Sequence, residues 1–131
     1  MAVSVLTNVT NDPANSIFSC IMATAGAKGG TAIYCGFKPR HIIMQQMAGA
    51  PDPTWHSEWH DGMTKAYATL TGNTGAGTIS TSAGFTVLVG DTTDPAVSFV
   101  AAASPLQAGQ GFYVDTGVQT NSITYSIVAT R

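Results

Sequence analysis

The segment PTWHSEWHDGM, residues 53–63, holds two of the three histidines of this 131-residue chain, both of its tryptophans and its single glutamate. Imidazole nitrogens and a carboxylate are the donors a zinc-type ion prefers, and they are also the groups that move protons in acid–base catalysis. His56, Glu58 and His60 are therefore the candidate ligands if a metal binds. On a β-strand successive side chains alternate between faces. Trp55, Ser57, Trp59 and Asp61 would then share one side and His56, Glu58 and His60 the other. At about 3.3 Å of rise per residue, His56 and His60 stand roughly 13 Å apart. Two ligands of one zinc ion must each approach it to about 2.1 Å. Only an adjacent pair, His56 with Glu58 or Glu58 with His60, could share an ion, and other strands would have to complete the shell. His41 is the remaining histidine.

A helix would bring positions i and i+4 onto one face, and Asp52-Pro53 resembles an N-cap followed by proline at the first helical position. The order still differs from His-Glu-x-x-His, in which the glutamate beside the first histidine serves as base. The favoured reading is structural. The tryptophans lie in the core or a subunit contact, and His56, Glu58 and His60 bond to one another or face solvent. No metal and no cofactor are expected.

Other catalytic arrangements are weaker. There is no Gly-x-Ser-x-Gly elbow, no phosphate-binding loop and no dinucleotide-binding glycine turn. Asp91 and Asp94 read as turn residues rather than a glycosidase pair. Cys20 and Cys35 are too few for a disulfide framework and sit in apolar runs, SIFSCIM and AIYCGF, as small buried hydrophobes. The chain reads as a non-enzyme.

The elements that would position these residues are strands. AVSVLTNVT, TAIYCGF, HIIMQQM, GFTVLVG, VSFVAAA, GFYVDTG and ITYSIVATR are rich in β-branched and aromatic residues. Between them lie TNDPANS, GAKGG, AGAPDP, GNTGAG, GDTTDP and ASPLQAGQG, which carry turn chemistry. SIFSCIMATAGA fits a helix period as well as a strand period, and is read as strand. Roughly eight to ten short strands predict an all-β, single-domain antiparallel β-sandwich of jelly-roll or Greek-key type over residues 1–131. Residues 1–30 are a candidate N-terminal arm or oligomerisation segment. No repeat or linker divides the chain.

Only 9% of residues are charged, against about 25% in ordinary soluble domains. A surface so poor in charge favours self-association or incorporation in a larger assembly. The five basic residues, Lys28, Lys38, Arg40, Lys65 and Arg131, form no stripe along the sequence, and the net charge is −2. Nucleic acid is not an expected partner. Neither a signal peptide nor a membrane span is expected from the hydropathy pattern.

Four motifs in order, CGFKPRHIIMQQ at 35–46, EWHDGM at 58–63, TSAGFTVLVG at 81–90 and DTGVQTNSITYSIVATR at 115–131, resemble short structural proteins of tailed bacteriophages and related repeats in phage tail-fibre chains. The resemblance spans residues 35–131. It implies a non-enzymatic β-sandwich virion protein, made in the host bacterial cytoplasm and carried on the capsid surface as a decoration or cement protein. It further implies partners in its own copies, as a homo-oligomer and most simply a trimer, and in the major capsid protein. The alternative within that class is a tail or receptor-binding component. A metal- or carbohydrate-binding sandwich, with Trp55 or Trp59 stacking on a ligand, is the alternative outside it. Residues 91–111 are longer than the usual link in that group, and the histidines of WHSEWH lie outside its pattern. Lys38, Arg40, Trp55 and Trp59 are the candidate partner contacts.

Overall fold

The structure, a computed structural model, describes residues 5–24, 30–48, 56–63, 67–72, 77–89, 99–100, 110–118 and 123–131. Trp55, Lys28, Lys65, Asp91 and Asp94 lie outside them. The strands are β1 (Val5–Asp12), β2 (Ile17–Ala23), β3 (Thr31–Ile33), β4 (His41–Ala48), β5 (His56–His60), β6 (Ala68–Thr71), β7 (Gly77–Ser80), β8 (Phe85–Val89), β9 (Phe99–Val100), β10 (Gln110–Val114) and β11 (Thr124–Thr130).

Among the described residues ten antiparallel strands form two sheets, all-β, without helix and not closed into a barrel. The large sheet has seven strands in the order β1-β2-β11-β4-β5-β6-β7. The small sheet runs β8-β10-β3, with the two-residue β9 added in parallel along β3. The expected sandwich is thus observed, and the segment that fitted two periods, 16–27, contains a strand, β2. Of residues 1–30, read from the sequence as a candidate N-terminal arm or oligomerisation segment, Val5–Asp12 and Ile17–Ala23 form β1 and β2 of the large sheet. β2 pairs with β11 along its whole length, from Ile17↔Thr130 to Ala23↔Thr124.

Alternation explains why these segments are strands. In β2 the buried residues are Phe18, Cys20 and Met22, and in β4 they are Ile42, Met44 and Gln46. In β11 they are Tyr125, Ile127 and Ala129. These inward side chains meet Ile33, Phe85, Phe112 and Val114 of the small sheet in one hydrophobic cluster. Phe18 and Phe112 join the sheets edge to face, with centroids 5.9 Å apart, a geometry that adds to simple area burial. Each large side chain removed from water here contributes about 1.5–3 kcal/mol.

Two local features shape the frame. β1 carries a bulge between Thr7 and Thr10, with Asn8 at φ 49°. Asparagine tolerates this left-handed conformation better than most residues. The irregularity lies on an edge strand, where bulges discourage pairing with a further strand. At the other side of the sandwich, Phe85 N–H donates to Tyr67 O at 3.1 Å, linking β8 to the segment before β6. A Cβ on Gly84 would stand only 2.4 Å from that same oxygen, so glycine is required for the approach.

Candidate functional site

β5 presents the alternation its sequence implies. Ser57 and Trp59 are buried, His56 and Glu58 are half-buried, and His60 is exposed. Trp59 is 5% exposed and belongs to the core cluster. Its ring lies in the core, one of the two places read for it from the sequence, and leaves little surface for a partner contact or for stacking on a ligand. The position of Trp55 in the fold is outside the described residues.

The ionisable face does not assemble as the sequence order suggests. Register places His41 of β4 opposite His60, Ile43 opposite Glu58 and Gln45 opposite His56. From that lattice Glu58 reaches diagonally to His41, whose Nε2–H donates to Glu58 Oε1 at 2.6 Å. His56 lies on the other side of the carboxylate, with Nε2 3.7 Å from Glu58 Oε2. Its Nδ1–H donates to Gln45 Oε1 at 3.1 Å. With Nδ1 so engaged, Nε2 carries a proton toward Glu58 only when the ring is doubly protonated. His60 stands apart, its Nδ1 accepting the Gly62 N–H at 3.1 Å in the turn that follows.

The structure therefore groups His41, Glu58 and His56, and leaves His60 out. His41 was the functional side chain that sequence spacing did not attach to the site. Among the described residues no group of three or more His, Cys, Asp or Glu side chains is arranged to hold a metal ion. One carboxylate oxygen already holds His41, and His56 points one nitrogen at an amide. The hydrogen bond from His41 holds the Glu58 carboxyl below its ordinary range, against a smaller opposing effect of desolvation. The carboxylate acts as a bridge between two strands on a partly solvated face.

Neither thiol is a nucleophile of the ordinary kind. Cys20 and Cys35 are free and buried, and burial pushes the Cys20 thiol up to about 12. Burial raises Cys35 as well, opposed by backbone hydrogen bonding at Phe37. A thiol that resists ionisation is a poor attacking group.

Arg40 and Lys38 separate in role. Arg40 Nε–H donates to Asp61 Oδ2 at 2.6 Å, within the chain. This holds the Asp61 carboxyl below its ordinary range. Lys38 has no ion-pair partner among the described residues.

The rest of the outward face is unusually aliphatic. One row crosses six strands as Ser19, Val128, Ile43, Glu58, Thr69 and Ile79. Val128 is 39% exposed and Ile79 65%, and Ile17 and Met47 also face outward at 44% and 56%. Ile21 and Ile43 are half-covered between them. No helix among the described residues is long and apolar enough to cross a membrane. No protein-family profile, curated protein or solved structure matches the chain.

Proposed function

We propose that this protein is a non-enzymatic structural component of a tailed-bacteriophage virion, a capsid decoration protein that binds its own copies and the outer surface of the shell. One observation carries the assembly part of this reading. The outward face of the large sheet presents Ile17, Val128, Met47 and Ile79 to solvent, in a chain where charge is scarce. Exposed aliphatic side chains spread over one sheet face support a protein contact there. Few charges would need desolvation on docking, which lowers the penalty of association. The virion part rests on the order of the four motifs at 35–46, 58–63, 81–90 and 115–131.

The test is twofold. Sedimentation should find the purified protein oligomeric, and it should co-sediment with emptied or expanded phage capsids. A strictly monomeric protein with no affinity for phage particles would end the proposal. Electron microscopy of decorated particles separates the shell from the tail alternative, because a decoration protein coats the capsid whereas a receptor-binding component clusters at the tail.

A further inference from the structure

At one end of the large sheet the inward-facing positions run out of core. The last apolar row there is Phe18, Ala129, Ile42 and Trp59, paired across β2, β11, β4 and β5. Two residues further along each strand come Ser16, Arg131, Arg40 and Asp61. Main-chain bonds keep this next row in register: Arg131 N–H to Ser16 O at 3.3 Å, Arg40 N–H to Thr130 O at 2.8 Å, and Asp61 N–H to Arg40 O at 2.9 Å. Strands lie about 4.8 Å apart, so Arg131, Arg40 and Asp61 stand side by side. Lys38, two residues before Arg40, joins them. Lys38, Pro39, Arg40, Asp61 and Arg131 line an open cleft of about 420 Å³.

Three of the chain's five basic residues thus share one cleft, in a protein whose net charge is −2. Asp61 neutralises one of them through Arg40 Nε. Lys38 and Arg131 have no ion-pair partner among the described residues. Fold maintenance accounts for the Arg40–Asp61 pair, which closes the row beyond Trp59. It does not account for two further cations lining the same cleft, since neighbouring like charges repel.

We propose that this cleft docks a carboxylate-bearing segment of a neighbouring protein. Arg40 engages Asp61 through Nε alone, leaving its terminal nitrogens for an incoming acid in the fork geometry that guanidinium groups favour. Lys38 and Arg131 supply the remaining donors. A polyphosphate partner fits less well, because three cations on a net-negative molecule cannot track a run of phosphates. The chemistry of the cleft stands whether or not the chain belongs on a virion.

The experiment measures binding of a fluorescent glutamate-rich peptide to the full chain by anisotropy, beside its glutamine counterpart and with inorganic phosphate as competitor. The acidic peptide should bind at low ionic strength, release at about 0.5 M salt, and bind far better than the glutamine peptide. Lys38→Glu with Arg131→Glu should weaken it at least about tenfold, with the denaturation midpoint showing that the fold is intact. Asp61→Asn, which frees Arg40 from its internal partner, should tighten it by a few fold, a gain that a merely structural ion pair would not produce. Equal binding of the two peptides, or indifference to the charge reversals, overturns the proposal. Inorganic phosphate binding as tightly as the acidic peptide also overturns it, and points to a phosphate site instead. Failure of capsid binding with peptide binding intact would count against the virion reading alone.

Discussion

The two faces of the large sheet are written by the same strands, one residue out of phase, and they solve different problems. Phe18, Met22, Ile42, Met44, Tyr125 and Ile127 on the inner face are at most 1% exposed. The outer face of the same β2, β4 and β11 mixes Ile17, Ile21, Ile43, Met47 and Val128 with Ser and Thr, and between β4 and β5 it carries the His41–Glu58–His56 cluster. Burial alone accounts for the inner set. The exposed Ile17, Met47 and Val128 gain little burial in the isolated chain, so the contrast separates residues that hold the protein together from residues available to hold it to something else.

Trp59 and Glu58, adjacent in sequence and opposite in orientation, give the sharpest form of this contrast. Trp59→Ala empties a large volume in the cluster that joins the sheets, and should lower the unfolding free energy by about 3–5 kcal/mol in urea titration. A loss below about 1 kcal/mol would mean that the inner face does not carry the fold.

Glu58→Gln should have a smaller, pH-dependent effect. The Glu58 carboxyl is held below its ordinary value of 4.5, chiefly by the hydrogen bond from His41. A carboxylate with a lowered folded-state pKa contributes stability above its unfolded pKa, and that contribution is lost as pH falls through the folded value. The difference between wild type and Glu58→Gln should be full at neutral pH, shrink below 4.5 and vanish in stronger acid. Its size should stay below about 1 kcal/mol, since exposed pairs are screened by solvent. With the side chains of His41 and Glu58 40% and 39% exposed, that discount applies here. Thermal melts of both proteins across pH 3 to 7 would measure it. A difference independent of pH would show that the bridge from β4 to β5 acts through shape rather than charge.

The sequence made some of this legible and hid the rest for physical reasons. The two-residue period of WHSEWH put Ser57 and Trp59 on one side and His56, Glu58 and His60 on the other, because that period depends only on local backbone geometry. The β4 and β11 segments were equally readable as strands, whereas the β2 segment fitted a helix period as well. The partnership of Glu58 with His41 was not, because it depends on the register between β4 and β5, which no local pattern fixes. The same holds for Arg40 with Asp61, 21 residues apart. β6 and β7, Ala68–Thr71 and Gly77–Ser80, were missed because ATLT and GTIS are short and threonine-rich. Their alternation is too weak to stand out from the turns around them. Of VSFVAAA, only Phe99 and Val100 form a described strand, too brief for any periodicity to show.

The smallest expected change in stability tests the outer face most directly. Val128→Thr keeps the β-branch and nearly the side-chain volume, Ile79→Thr keeps the β-branch on a shorter side chain, and both positions are exposed. Each should alter unfolding free energy by no more than about 0.5 kcal/mol. The two residues lie in one row four strand spacings apart, roughly 19 Å, so their stability effects should add without coupling. Self-association need not behave this way. If the row is a contact surface, each hydroxyl enters an apolar interface unpaired, and the double variant should shift sedimentation toward the monomer while its urea midpoint stays put. An unchanged oligomer would move the contact elsewhere, and the outer aliphatics would then be only the ordinary apolar share of a protein surface.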